Sequence, residues 1–127
     1  MVNLFLGPIH DLSFLYNDEE AIRVTPQEIA TFIMQDEIVA VYNGRSEAGP
    51  RALGNRSILY DPRDNCTKET VNKVKKRERF RPFAAAVLKD HANQWFDMSG
   101  LNRSPTMSYA VHTKEDKKKL IPGVVHI

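Results

Sequence analysis

A chain of 127 residues, 42% of them hydrophobic, is the size of one domain and has enough apolar side chains for a core, which excludes global disorder. Its +2 net charge is local: Lys73–Arg81 carries six basic residues against Glu78 alone, which argues for one anionic ligand or surface and against a nucleic-acid coat. A single cysteine, Cys66, excludes an internal disulfide framework; no apolar run nears the roughly 20 residues that span a bilayer, and Met1–Leu6 lacks the basic lead of a secretory leader, so a reducing, cytoplasmic setting is expected.

Residues 1–24 read as a lead-in segment or linker without clear periodicity, broken at Gly7-Pro8 and solvated at Asn17–Glu20. Residues 25–127 are expected to form the domain. Thr25 is placed to cap a helix, Pro26 suits its first position and Glu28 completes a capping box. Ile29, Phe32 and Ile33 give that helix an apolar stripe, ending near Gln35-Asp36. Glu37–Asn43 reads as a buried strand and Ser57–Tyr60 as a second, followed by a turn over Asp61–Asp64. Asp64 or Asn65 then caps a helix predicted over Cys66–Glu78. Beyond Pro82, Phe83–Leu88 reads as a buried strand, His91–Phe96 as a short helix and Ser99–Pro105 as loop. Met107–His112 reads as a strand, Glu115–Lys119 as solvated charge and Val124–Ile127 as a strand-like run. Alternation of this kind predicts an α/β domain. An apolar run at the end leads us to expect that the natural polypeptide continues.

Two stretches resist reading as core. Gly44–Ser57, GRSEAGPRALGNRS, holds three glycines, a proline, three arginines and an asparagine. Glycine permits backbone closed to other residues, proline stops regular structure, and the arginine fork matches phosphate and carboxylate oxygens. The stretch reads as a shaped loop presenting guanidinium groups to an anion. The second is Val74–Phe83, VKKRERFRPF. On a helix over 66–78, Val71 and Val74 define the core side with Thr67 close by. Lys75 falls beside that stripe, and Lys73, Lys76 and Arg77 lie toward the opposite face. Lys73 and Lys76 read as solvated surface. A lysine at the stripe's edge must snorkel or find an anion, either Glu78 one turn on or a ligand phosphate. Proline at 82 favours extended backbone at Arg81, which would turn Arg79 and Arg81 one way and Phe80 and Pro82 the other. Convergence of Lys75, Arg77 and Arg81 with Arg51 would gather four positive charges, matching a triphosphate or acyl phosphate. His10, His91, His112 and His126 lack metal-ligand spacing, Cys66 at a helix start reads as an ordinary cysteine, and no Walker-type loop or Ser-His-Asp order is present.

Together GRSEAGPRALGNRSILYDPRD and NKVKKRERFRPFAAAVL resemble the C-terminal domain of the O-carbamoyltransferases of nodulation and antibiotic biosynthesis, over roughly Gly44–Leu88. LGPIHD at Leu6–Asp11 and Val124-Val125-His126 extend the likeness. The resemblance implies a YrdC-like twisted mixed sheet with a basic concave face. It also implies ATP and carbamoyl phosphate as ligands, carbamoyl-adenylate as product, Mg²⁺ as a companion of ATP, and an N-terminal actin-like ATPase domain as partner that carbamoylates a substrate hydroxyl. By motif position it makes Lys75 and Arg81 catalytic, and Arg51, Asn55, Arg56, Ser57 and Arg77 substrate- or nucleotide-binding. Ser46, Ala48 and Ala85 depart from the family's usual methionine, aromatic and proline. The isolated chain is expected to hold an incomplete site and to be inactive. Two alternatives stay open: a basic module binding RNA, or a docking domain whose basic residues meet the N-terminal domain.

Overall fold

A computed structural model describes residues 7–126, and the chain divides between Leu59 and Tyr60 into two compact units. Both mix helices with two-stranded antiparallel sheets, so the α/β reading holds.

In the first unit, helix α1 spans Pro26–Met34. Its start is set locally: Glu28 N–H donates to the Thr25 hydroxyl at 3.3 Å, and Glu28 Oε2 accepts from Thr25 N–H at 2.7 Å. Its end is a Schellman turn, with Asp36 N–H on Ile33 O at 3.1 Å, Glu37 N–H on Phe32 O at 3.0 Å, and Asp36 at φ 63°. Ile29, Phe32 and Ile33 are half-buried, as their spacing requires. Strands β1 (Val39–Tyr42) and β2 (Arg56–Leu59) pair antiparallel, with Val39 opposite Leu59 and Tyr42 opposite Arg56. The expectation of a buried first strand is corrected: Val39 and Val41 are half-buried while Ala40 and Tyr42 face solvent, the alternation of a sheet covered on one side. The glycine–arginine stretch is the long connection between these two strands. The lead-in segment is not detached from it. Gly7 N–H donates to Ser46 O at 3.3 Å, Ile9 bridges Arg45, and Arg45 Nε donates to Gly7 O at 2.8 Å.

In the second unit, α2 covers Thr67–Val74, α3 Ala92–Trp95 and α4 Glu115–Lys118; β3 (Phe96–Asp97) pairs antiparallel with β4 (His112–Thr113). Ala92, Phe96, Met98 and Ile121 form the core, with Trp95, Leu101, Val111 and Val124 packed against it. Burying the larger of these, Phe96, Met98 and Ile121, contributes on the order of 1.5–3 kcal/mol each. The start of α2 is fixed by Thr67, whose buried hydroxyl reaches Asp61 O at 2.6 Å and Asp64 O at 2.7 Å. Asp64 caps nothing directly; its carboxylate accepts Cys66 N–H at 2.8 Å in a local turn. Gly123 lies so close that an added Cβ would meet Thr67 Cβ at 2.7 Å.

Three strand expectations fail here. Phe83–Leu88 forms no strand; it runs irregularly and leaves Leu88 74% exposed. Of Met107–His112 only His112 enters a ladder, and Val124–Ile127 begins in a tight 3₁₀ turn, Pro122–Val124, with Ile127 outside the described residues. Apolar β-branched runs become strands only where a neighbouring ladder accepts them, and these have none among the described residues. No helix of the described residues is long and apolar enough to cross a membrane.

Buried Asp61 supports a pH prediction. Hydrogen bonds from the Arg63 side chain hold its carboxyl below the ordinary carboxylate range, against the opposing pull of burial. The folded state keeps this group ionised where the unfolded chain would protonate it. Its contribution is therefore full above the unfolded value of about 3.9 and is lost as pH falls through the lowered folded value. Urea midpoints of the protein are expected to fall below about pH 4, and Asp61→Asn to flatten that decline. Parallel curves for the two proteins would show that Asp61 does not carry it.

Candidate functional site: two arginine- and lysine-bearing segments

The first segment is the loop between β1 and β2. It is laced from its base upward. Asn43 N–H donates to Asn55 O at 2.9 Å, Asn55 Nδ2 to Arg45 O at 2.9 Å, and Asn55 N–H to Glu47 Oε1 at 2.6 Å. The other Glu47 oxygen accepts Leu53 N–H at 2.9 Å. Gly49 and Gly54 sit at φ 104° and 116° with open space around them, so the backbone angle, and not crowding, demands glycine there. Ser57 is buried on β2, and its hydroxyl accepts Gly54 N–H at 2.9 Å.

Arg56 is fully engaged. Its guanidinium donates to Asn43 O at 2.6 Å, Asn55 O at 2.8 Å and Gly44 O at 3.4 Å, and lies 3.6 Å over the Tyr42 ring, which Phe14 meets edge-on. Arg51, at the far end of the loop, is exposed, and its side chain has no ion pair or hydrogen bond among the described residues. Thus Asn55, Arg56 and Ser57 shape the loop, while Arg51 is the cation left facing solvent. Ser46, one of the departures from the resemblance, meets His10: Nε2 and the hydroxyl lie 2.7 Å apart.

The second segment follows α2. That helix ends at Val74, four residues short of the expected end, in another Schellman turn. Lys76 N–H donates to Lys73 O and Arg77 N–H to Asn72 O, both at 3.1 Å, and Lys76 takes the left-handed position at φ 50°. Lys75 is the capping residue, so the apolar stripe stops before reaching it. Its side chain is exposed, without a hydrogen bond or ion pair among the described residues. The core side of the helix is Thr67, Val71 and Asn72; Val74, expected there, is 51% exposed.

Asn72 is the organising residue, and nothing in its sequence context marks it. It is completely buried. Its amide Nδ2 donates to Arg79 O at 3.2 Å and Arg81 O at 3.0 Å, and its Oδ1 accepts Arg77 Nε. Arg77 also donates to Pro82 O at 3.3 Å and stacks 4.4 Å over Phe83. His126 closes the far side, its Nε2 2.8 Å from Phe83 O.

The expected shared face of Arg79 and Arg81 is replaced by two separate ion pairs. Arg79 meets Glu69, and Arg81 Nε donates to Glu78 Oε2 at 2.6 Å across a turn. Glu78 therefore serves Arg81 and not Lys75. The hydrogen bond from Arg81 holds the Glu78 carboxyl below its ordinary range and raises Arg81 in return. Both partners are about half exposed, and ion pairs of that kind are readily exchanged for a better anion.

Comparison with known proteins identifies the family. Residues 30–127 match the family described as Carbamoyltransferase C-terminus. The nodulation protein NolNO of Sinorhizobium fredii is 44% identical over 100 residues, 77% of this chain and 15% of that protein. NolO of Bradyrhizobium diazoefficiens is 40% identical over 77% of this chain and 18% of its own length. Nodulation protein U of the same organism is 33% identical over 98% of this chain and 22% of its own. The chain thus spans about a fifth or less of the curated relatives it matches.

Proposed function

Given that the chain belongs to the carbamoyltransferase C-terminus family, we propose that it binds ATP and carbamoyl phosphate and forms carbamoyl-adenylate, acting within a longer polypeptide whose actin-like N-terminal domain passes the carbamoyl group to a substrate hydroxyl. The observation that carries this reading is that Arg51 and Lys75 are exposed cations without a partner among the described residues, each at the end of a segment braced by hydrogen bonds. The backbone beneath each cation is already ordered, so anion binding has to fix the side chain and not the segment that carries it.

The chemistry asks for such groups. One water cleaves carbamoyl phosphate to carbamate and phosphate. A carbamate oxygen then bonds the α-phosphorus of ATP while pyrophosphate leaves. Charge on transferring phosphoryl oxygens is stabilised by positioned cations more than by an acid–base pair. We assign Arg51 and Lys75 to direct anion contact, and Arg81 to the same task once Glu78 releases it. Asn55, Arg56, Ser57 and Arg77 hold the two segments in shape. Among the described residues no three His, Cys, Asp or Glu side chains are grouped to hold a metal ion; a magnesium ion accompanying ATP would be held chiefly by phosphate and water oxygens, and no step is assigned to it.

RNA binding is the weaker reading. The basic cluster Lys73–Arg81 is short and holds one aromatic, Phe80, where a single-stranded nucleic acid calls for a longer basic track with several aromatics interleaved.

The reading is tested on the intact polypeptide by following pyrophosphate. Release is expected only when ATP and carbamoyl phosphate are supplied together, with labelled pyrophosphate exchanging back into ATP. Release from ATP alone at the same rate, or none with both, would contradict it.

A further inference from the structure

We infer that Glu47 is the positioning residue for Arg51, an inference that rests on the anion-binding reading above. An acid in a loop that serves an anion is at first sight misplaced, because it cancels one of the three arginine charges of the stretch. Its two oxygens explain it. One holds Asn55 N–H at 2.6 Å and the other Leu53 N–H at 2.9 Å, on the opposite limb of the loop from Glu47 itself. A charged acceptor makes stronger hydrogen bonds to backbone N–H than a neutral one. The carboxylate therefore acts as a crossbar. Below it the loop is stitched by Asn43, Arg45 and Asn55; above it remain the residues 48–52 with Arg51. Gly49 and Gly54, with their positive φ angles, supply no stiffness of their own. Without the crossbar the limb carrying Arg51 is tied only at its base.

The same contacts admit an opposite role. Leu53 and Asn55 N–H flank Gly54, and in that role the carboxylate would occupy the place of a phosphate, so its removal would tighten binding. The two roles differ in sign, and we assign the first because Glu47 is half-buried and spans the limbs.

The test is calorimetric titration of ATP into the intact protein carrying Glu47→Gln, Glu47→Ala, Arg51→Ala, or Glu47→Ala with Arg51→Ala, together with hydrogen exchange at the Leu53 and Asn55 amides. Glu47→Ala is expected to weaken ATP at least about fivefold, and Glu47→Gln, which keeps one carbonyl acceptor, by less. Added to Arg51→Ala, Glu47→Ala should weaken ATP no further, since its effect acts through that arginine. The two amides should exchange about tenfold faster or more without the carboxylate. Unchanged affinity in Glu47→Ala beside a loss in Arg51→Ala would overturn the positioning role and leave the anion-binding reading intact. Tighter binding, or a full extra loss in the double variant, would overturn it as well. Unchanged affinity in Arg51→Ala would remove the role of Arg51 and this inference with it, whatever the amides show.

Discussion

Replacing Asn72 with alanine is expected to destabilise the protein by about 1.5–4.5 kcal/mol, the sum of three side-chain hydrogen bonds at roughly 0.5–1.5 kcal/mol each. The side chain is completely buried, so water does not reach the site to replace what is lost. Two carbonyls, Arg79 O and Arg81 O, lose their donor, and Arg77 Nε loses its acceptor. Thermal unfolding should shift down by about 4–8 °C per kcal/mol for a unit of this size. Asn72→Asp separates donors from acceptors. It keeps an oxygen for Arg77 but turns a second oxygen toward two carbonyls, so it should be at least as damaging as alanine. A loss below about 0.5 kcal/mol in Asn72→Ala, the range of an ordinary surface substitution, would show that the amide does not hold this segment.

The elements legible in the sequence were those fixed by neighbours. Thr25, Pro26 and Glu28 specify the start of α1 within four residues, and the capping box forms as they require. Strands β1 and β2 were legible as two short apolar runs flanking a glycine-rich stretch, though not their antiparallel pairing, and the family from the motifs on and after that stretch. The end of α2 was not, because the residue in the left-handed position is Lys76, and lysine carries no signal for it where glycine would. Phe83–Leu88 misled for a different reason. Its composition suits a strand, but a strand is a property of two segments, and the second is not written in the first. Glu47 and Asn72 escaped notice because most of their partners are backbone groups six to nine residues away, which any side chain type can expose. The lone acid in a loop of three arginines was the one available hint for Glu47.

In the proposed function Lys75 and Arg51 contact the anion directly, and their removal has the largest expected effect on binding. Lys75 ends α2 and Arg51 crowns the β1–β2 loop, each without an anion among the described residues to compete for it. A charge-assisted hydrogen bond contributes about 1.5–3 kcal/mol, which converts to roughly 10- to 100-fold in affinity. Charge alone does not suffice at Arg51, since a planar fork and an ammonium present donors differently, so Arg51→Lys should restore only part of the loss. The neighbouring Lys76 provides the control: Lys76→Ala alters the same net charge without touching the assigned contacts. The most direct measurement is therefore ATP titration of the intact protein beside Lys75→Ala, Arg51→Ala and Lys76→Ala. We expect the first two to bind about 10- to 100-fold more weakly and the third to stay near the unaltered protein; affinities for Lys75→Ala and Arg51→Ala that match the unaltered protein would contradict the account.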